Sequence, residues 1–171
     1  METLLELRTS ARDRLDEATA SQWSNDMLRR WINEGLQDVA RRTETLQDTT
    51  DVTATIGLQQ YNLPSDILRV YRVEWRPTSG EVSPLEYRDF NTMDSVWWGS
   101  QTTAQSTPQL FTMWGYPPLL KMVVYPSPSD AGSFRVYHYR LPAVLINDAD
   151  IAEIPEGWTD LNTLKEMDRS T

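Results

Sequence analysis

Residues Tyr61–Val73 read YNLPSDILRVYRV and predict a corner between two strands. Pro64 has no backbone N–H to donate and disfavours helix at Leu63, so a strand should stop there. Ser65 and Asp66 follow as a polar turn, and the β-branched and aromatic residues after them favour a second strand. The stretch shows no recognisable catalytic motif, so it predicts architecture rather than chemistry.

Ahead of this corner, apolar residues recur at helical spacing. Thr3 and Glu6 fit a capping box that opens an amphipathic helix running to about Glu17. Ser24 or Asn25 caps a second helix. Two helices with a short connection are expected to pack as an antiparallel hairpin, which is too small to bury its apolar stripe alone. The stripe of the second helix consists of Leu28, Trp31, Ile32, Leu36 and Val39.

Beyond the helices the pattern changes to the alternation typical of strands. About six strands with short turns predict a mostly antiparallel sheet that closes as a sandwich or a partly open barrel. The first two strands are expected to form a hairpin across Gly57. The fold class is therefore α+β. The expected parts are a helical hairpin at 1–48, a β domain at 49–145, and a C-terminal segment at 146–171 that returns to the helices and includes a short helix.

A long polar loop at 94–109 interrupts the strands. Trp97 and Trp98 stand at its base, ahead of an uncharged run that begins near Gln101. Either one tryptophan anchors the loop in the core, or the pair forms a patch that binds a partner, since exposed aromatic residues mark interfaces. Composition leaves both interpretations open.

Composition excludes several classes of protein. The chain has 171 residues, no cysteine and one histidine, His138, so disulfides, thiolate nucleophiles and histidine-rich metal sites are not expected. No apolar run reaches the ~20 residues that span a bilayer, which predicts a soluble protein without membrane contact. The net charge of −9 disfavours non-specific nucleic-acid binding. It fits either an ordinary acidic surface or a surface that lets DNA pass without adhering.

An acidic run follows the strands, with Asp148, Asp150 and Glu153 close together. Such oxygens can bind a hard cation, but the spacing is not that of an EF-hand loop and the required glycine is missing. We therefore expect no bound metal and no other cofactor.

Taken together, the motifs resemble those of the head-to-tail adaptor proteins of tailed bacteriophages, the connectors that sit under the portal. Trp23–Asp26 with the apolar stripe after it is similar to the second helix of that family, and Tyr61–Asp66 is similar to its proline corner. The later proline-containing motifs of that family are matched in the same order by Tyr125–Pro128, Leu141–Pro142 and Ile154–Pro155. The resemblance covers nearly the whole chain.

The resemblance implies a structural virion protein without enzymatic activity. Its partners would be the portal protein, a tail nozzle or other tail protein, and further copies of itself in a ring, twelve-fold in the family, through which DNA passes without sequence-specific binding. Assembly would take place in the host cytoplasm. The C-terminal residues that contact the portal in the family correspond to Leu161, Leu164 and Met167.

Two further expectations attach to this assignment. By composition, Trp97, Trp98 and Gln101 are candidates for contact with the tail or a neighbouring subunit, and the stripe of the second helix for packing within the ring. The last helix looks shorter than in the family, so the stripe should be incompletely covered within one subunit.

A β-sandwich module that recognises carbohydrate or protein through exposed tryptophan and tyrosine is the alternative. The N-terminal helix pair argues against it, because a stand-alone sugar-binding sandwich does not require one. An enzyme ranks third, since no pair of acidic residues is placed by a recognisable motif.

Overall fold

The computed structural model describes residues 1–17, 22–93 and 105–154. The chain forms two compact units, which we call the helical unit, Met1–Leu46 with the described residues from Leu141 onward, and the β unit, Gln47–Arg140. Helices occupy the first and strands the second, and the α+β class is confirmed. No helix in the described ranges combines the length and hydropathy needed to cross a membrane.

Helix α1, Leu4–Arg14, begins at the predicted capping box. The Glu6 N–H donates to Thr3 Oγ1 at 3.3 Å, and the Thr3 N–H donates to Glu6 Oε2 at 2.8 Å. The helix ends earlier than the expected Glu17, because Asp16 adopts a left-handed backbone with φ of 53°. Leu15, which the pattern assigned to the apolar stripe, is consequently exposed.

Helix α2, Asn25–Thr43, begins at Ser24, whose hydroxyl accepts from the Met27 N–H at 3.2 Å. Of the two cap candidates, Ser24 is the one observed. The helix ends at Glu44, which is left-handed with φ of 48°. Arg41 and Arg42 lie in its last turn, where cations suit the helix dipole.

Both helices contribute to one core in the helical unit, and a later segment of the chain completes it. The Leu4 N–H donates to the Asp150 carbonyl at 2.9 Å, and the Ala152 N–H donates to the Glu2 carbonyl at 2.9 Å. Residues after the sheet therefore cover most, but not all, of the stripe of α2 within the subunit. The core consists of Leu4, Leu7, Ile32, Leu36, Val39, Ala40, Leu145, Ala152 and Ile154.

The β unit contains two four-stranded sheets and a small two-stranded one. The first has the order β1-β10-β3-β4, the second β2-β8-β7-β5, and the third pairs β6 with β9. Only the β5–β7 and β6–β9 pairs are parallel among the described strands, so the sheets are mostly antiparallel as predicted. The strands are β1 Gln47–Ala54, β2 Gln60–Asn62, β3 Ile67–Pro77, β4 Ser83–Pro84, β5 Glu86–Tyr87, β6 Gln105–Ser106, β7 Leu110–Trp114, β8 Lys121–Tyr125, β9 Ser127–Pro128 and β10 Gly132–Arg140.

The predicted first hairpin is wrong. β1 pairs with β10 from Gln47 opposite Tyr139 to Ala54 opposite Gly132, whereas β2 pairs with β8. An eight-residue strand finds a hydrogen-bonding partner for its whole length on β10 but would find one for only three residues on β2. The two chain ends of the β unit therefore lie side by side.

The corner at Pro64 is confirmed, and it moves the chain from one sheet to the other. The Leu63 N–H still donates to Leu120 beside β8, at 3.1 Å, while the Ile67 N–H already donates to the Pro64 carbonyl at 3.3 Å as β3 begins. Buried residues of both large sheets form one core. Its members are Ala54, Tyr61, Leu63, Ile67, Val73, Trp75, Leu85, Phe111, Leu120, Met122, Val124, Phe134 and Val136.

Candidate interaction surfaces

Four of the five stripe residues on α2 are buried inside the helical unit: Leu28, Ile32, Leu36 and Val39. Trp31 is the exception. Its side chain is 43% exposed, and its ring lies 5.0 Å from that of Trp23, centroid to centroid. Trp31 belongs to the stripe by spacing, but it is not a member of the core of the helical unit. Trp31 is thus the stripe residue that offers apolar area to a partner.

Arg12 holds the segment that carries Trp23. This arginine is buried, and it donates to the Trp23 carbonyl and to Asn25 Oδ1, both at 2.8 Å. It also pairs with Glu17 at 3.1 Å. A buried guanidinium needs such partners, since an unpaired one costs several kcal/mol. The position of Trp23 beside Trp31 is therefore fixed from α1.

Asn33 clamps the extended segment that follows the sheet. Its side-chain nitrogen donates to the Leu145 carbonyl at 2.9 Å, and the Leu145 N–H donates to its Oδ1 at 2.8 Å. Leu145 enters the core as a result, while Val144 and Ile146 on either side are exposed. A groove of about 480 Å³ runs beside the clamp. It is lined by Asp26, Arg29, Arg30, Asn33, Glu34, Gln37, Val144, Leu145 and Ile146.

The outer face of the β1-β10-β3 sheet carries tyrosine and arginine side chains in register. The ring of Tyr71 lies 5.1 Å from that of Tyr139 and 6.2 Å from that of Tyr137. The Arg69 guanidinium lies 5.3 Å from the Tyr139 centroid, and that of Arg72 lies 5.5 Å from the Tyr137 centroid. We name this surface the Arg–Tyr face. It consists of Asp51, Arg69, Tyr71, Arg72, Glu74, Arg76, Arg135, Tyr137 and Tyr139.

Two carboxylates organise the arginines of this face. Arg135 pairs with both oxygens of Asp51, at 2.8 and 2.7 Å, and this hydrogen bonding lowers the pKa of Asp51. Burial acts to raise the pKa of Glu74, but hydrogen bonds from Arg76 and Tyr137 and the charge of Arg72 outweigh it and lower that pKa. Both carboxylates therefore stay ionised at neutral pH and hold the arginine side chains in place.

The turn between β7 and β8 projects apolar side chains. Tyr116 is 86% exposed, and Trp114 and Leu119 beside it are exposed as well. Phe90 stacks on Trp114 with ring centroids 6.0 Å apart, and Lys121 lies over the same indole at 5.6 Å. Contacts from Phe90 and Lys121 therefore hold Trp114 in place at the base of this turn, while Tyr116 at its tip is exposed to solvent.

The acidic run after the sheet serves the backbone. Asp150 Oδ2 accepts from the N–H groups of Ile146 and Asn147 at 2.7 and 2.8 Å, and these bonds lower the pKa of Asp150. Glu153 accepts from the Ala143 N–H at 2.8 Å. Among the described residues, no three acidic or histidine side chains are grouped as metal ligands.

His138 is buried in β10 rather than exposed. Its Nδ1 lies 3.2 Å from the Val136 carbonyl oxygen, so the ring nitrogen has a local partner.

Six predicted contact residues fall outside the described ranges: Trp97, Trp98, Gln101, Leu161, Leu164 and Met167. Their assigned contacts stay predictions. The Arg–Tyr face and the Asn33 clamp, in contrast, were missed. A signal for the face was present, because Arg135, Tyr137 and Tyr139 alternate with the buried residues of β10. The sequence carries no such signal for the Asn33 clamp, because the residues around Asn33 do not indicate that it contacts Leu145, which lies more than a hundred residues away.

Comparison with known proteins bears on what these surfaces serve. The profile of the SU10 adaptor protein family matches residues 2–164, which is nearly the whole chain. The chain belongs to this family. No curated protein matches it. Membership confirms the resemblance to bacteriophage head-to-tail adaptors and makes this SU10-family adaptor a structural phage protein whose surfaces contact other head or tail proteins.

Proposed function

We propose that this SU10-family adaptor forms a ring between the portal and the tail of a phage virion and provides a conduit for DNA. The family match over residues 2–164 carries the proposal, because it spans both units rather than one module of the chain. We assign no enzymatic step to the protein. In this proposal the protein connects the portal to the tail, and its charge determines how DNA passes through the ring.

The charge of the chain supports the conduit. With a net charge of −9, a ring of copies would repel the DNA phosphates rather than bind them. This repulsion keeps the DNA phosphates from forming ion pairs with lysine and arginine side chains. The DNA therefore passes through the ring without being slowed by repeated ion pairing. The partners are the portal on one side, a tail nozzle or other tail protein on the other, and neighbouring copies.

Ring packing through α2 would use its exposed side. The buried residues Leu28, Ile32, Leu36 and Val39 hold the helix in its own unit, and Trp31 with Trp23 supplies the apolar area available to a neighbour. Tryptophan is enriched among the residues that dominate binding energy. Leu161, Leu164 and Met167 remain the proposed portal contact, and Trp97, Trp98 and Gln101 the proposed contact with the tail or a neighbouring subunit.

The test is to mix the full chain with portal rings of its phage and to measure mass by light scattering and symmetry by cryo-electron microscopy. We expect a ring of adaptor copies on the portal. Trp31→Ser should weaken assembly by tenfold or more in affinity, roughly the loss of one interface tryptophan. Leu5→Ser is the matched control, because Leu5 is an exposed apolar residue on α1. A chain that stays monomeric and never joins the portal would overturn the proposal.

The outer contacts need separate variants. Leu161→Asp should reduce binding to the portal without affecting the tail protein, and Trp97→Ser should reduce contact with the tail protein or between copies. Binding of both variants to portal and tail at wild-type strength would remove these residues from the proposed interfaces. Selective binding of the wild-type chain to a glycan array would favour the alternative binding module.

A further inference from the structure

The Arg–Tyr face of the β unit has the composition of a protein interface. Tyr71 is 45% exposed in the middle of it, and its ring contacts Tyr137 and Tyr139. All basic residues of the face are arginines. Arginine and tyrosine are enriched at interface centres, where lysine is depleted. A surface built to follow nucleic-acid phosphates would carry a larger uncompensated positive charge.

The arrangement of the face is already ordered before any partner binds. Arg69 and Arg72 lie over tyrosine rings, Arg135 is held by both oxygens of Asp51, and the Tyr137 hydroxyl donates to Glu74 at 3.1 Å. Side chains that are fixed in advance lose less conformational entropy on binding. The face is therefore ordered in advance for binding a partner.

The charge of the Arg–Tyr face, compared with that of the rest of the chain, indicates which partner the face binds. Four arginines and two carboxylates give the Arg–Tyr face a net charge of +2, while the whole chain carries −9, so all other residues together carry −11. The remainder of another copy of this chain therefore carries a strongly negative net charge, opposite in sign to the Arg–Tyr face. Two identical positive faces would repel each other, which disfavours a symmetric pair.

We propose that the Arg–Tyr face docks on an acidic surface of the next copy of this chain. A contact between two different surfaces is heterologous, and repetition of such a contact closes into a ring when the rotation permits. The inference deepens the proposed function, on which it rests, by naming the surface through which one copy holds the next. Attraction between opposite charges also predicts that assembly weakens as the salt concentration rises. The reason is that the Debye length, the distance over which charges interact in solution, falls to about 10 Å at 0.1 M ionic strength.

Paired variants test the face against matched positions. Arg69→Glu and Tyr71→Ser change exposed residues of the face, while Arg88→Glu and Tyr87→Ser make the same changes at exposed residues elsewhere in the β unit. We expect the two face variants to lower the self-association constant by roughly tenfold or more, and the two controls by less than about twofold. All four should keep the wild-type thermal midpoint, since none is buried. Equal association of all four variants would overturn the inference while leaving the proposed ring intact.

Cross-linking separates the inference from the proposed function. A photo-reactive phenylalanine analogue at position 71 of the full chain should cross-link to acidic segments of a second copy, with a yield that falls on adding about 0.5 M salt. Cross-links to the same copy, to portal or tail protein, or to added DNA would overturn it. If position 71 joins a second copy but the chain never binds portal rings, the self-docking face stands and the proposed function fails. If neither occurs, both fail.

Discussion

The helical unit and the β unit close their cores in different ways. The core of the helical unit combines α1 and α2 with Leu145, Ala152 and Ile154, which follow more than a hundred residues after α2 begins. Among the described residues, the core of the β unit draws only on the continuous segment Gln47–Arg140. The β unit is therefore complete in sequence before the helical unit can close. The comparison teaches that the N-terminal helices are not an independent hairpin but depend on the chain that returns to them.

The largest expected effect comes from a charge in the core of the helical unit. Leu36 is 4% exposed, and Leu36→Asp would bury an unpaired carboxylate there, at a cost of at least about 5 kcal/mol. Hydrogen exchange should show loss of protection in α2. The two cores share no residue, so β-unit amides should stay protected.

Leu5→Asp serves as the control for that variant, because Leu5 is exposed and lies in the first turn of α1, where an acid suits the helix dipole. Its free energy of unfolding should change by less than about 0.5 kcal/mol. Retained protection of α2 in Leu36→Asp would show that the stripe is not where the structure places it.

The converse variant removes a large side chain from the β unit. Phe134 is fully buried, and its ring lies 5.1 Å from Tyr61 and 5.0 Å from Trp75. Phe134→Ala should cost about 3–5 kcal/mol in free energy of unfolding, measured by denaturant titration. Protection should be lost in β1, β3 and β10 and kept in α2. Tyr116→Ala, at the exposed tip, should be nearly neutral, and equal losses for both would contradict the assignment of the core.

A smaller change sharpens the dependence of the helices on the returning segment. Asn33→Ala removes both hydrogen bonds to Leu145 and should cost about 1–3 kcal/mol, because two backbone groups lose their partner. The Leu145 amide should exchange faster than its neighbours. Gln37→Ala, on the same side of α2 and beside the same groove, is the control. Unchanged exchange at Leu145 would show that the clamp does not form.

The smallest effect is the pH dependence of the same segment. Hydrogen bonds from Asn147 and Ile146 lower the pKa of Asp150 below its usual 3.8. A carboxylate with a lowered folded-state pKa stabilises the folded state fully above its unfolded pKa, and that contribution is lost as the pH falls through the folded value. The wild-type helical unit should therefore lose stability below about pH 4 more steeply than Asp150→Asn. An identical loss of stability below about pH 4 in Asp150→Asn and wild type would contradict the prediction.

Prediction from the sequence succeeded where the interacting groups are close along the chain. The capping box at Thr3, the cap at Ser24 and the corner at Pro64 were all located, because each depends on a few neighbouring residues. The mostly antiparallel pairing of the strands was predicted as well, because the short turns between them leave little room for parallel crossovers. Resemblance identified the family, since the order of many weak motifs is itself a strong signal.

Prediction was wrong where several distant partners compete. β1 was assigned to the neighbouring strand, yet it pairs with β10, because a longer ladder there satisfies more of its backbone groups. Periodicity placed Trp31 on the same apolar stripe as four buried residues, but it gives only a direction around the helix and not how far the core covers that stripe. Nothing in the local sequence of α1 indicated that Arg12 is buried, because its acceptors, the Trp23 carbonyl and Asn25, lie beyond the end of its own helix.

The sequence alone determined the helix starts, the proline corner, the alternation of the strands and the acidic balance of the chain. Covalent geometry and short-range hydrogen bonds specify the first three, and simple counting specifies the fourth. Only the tertiary structure decided which strands pair, which side chains cover α2, and that arginines and tyrosines from β3 and β10 meet on one face. Those outcomes depend on which of many distant segments buries the most apolar surface and satisfies the most backbone hydrogen-bonding groups. They cannot be predicted from any single stretch of sequence, because the competing segments lie far apart along the chain.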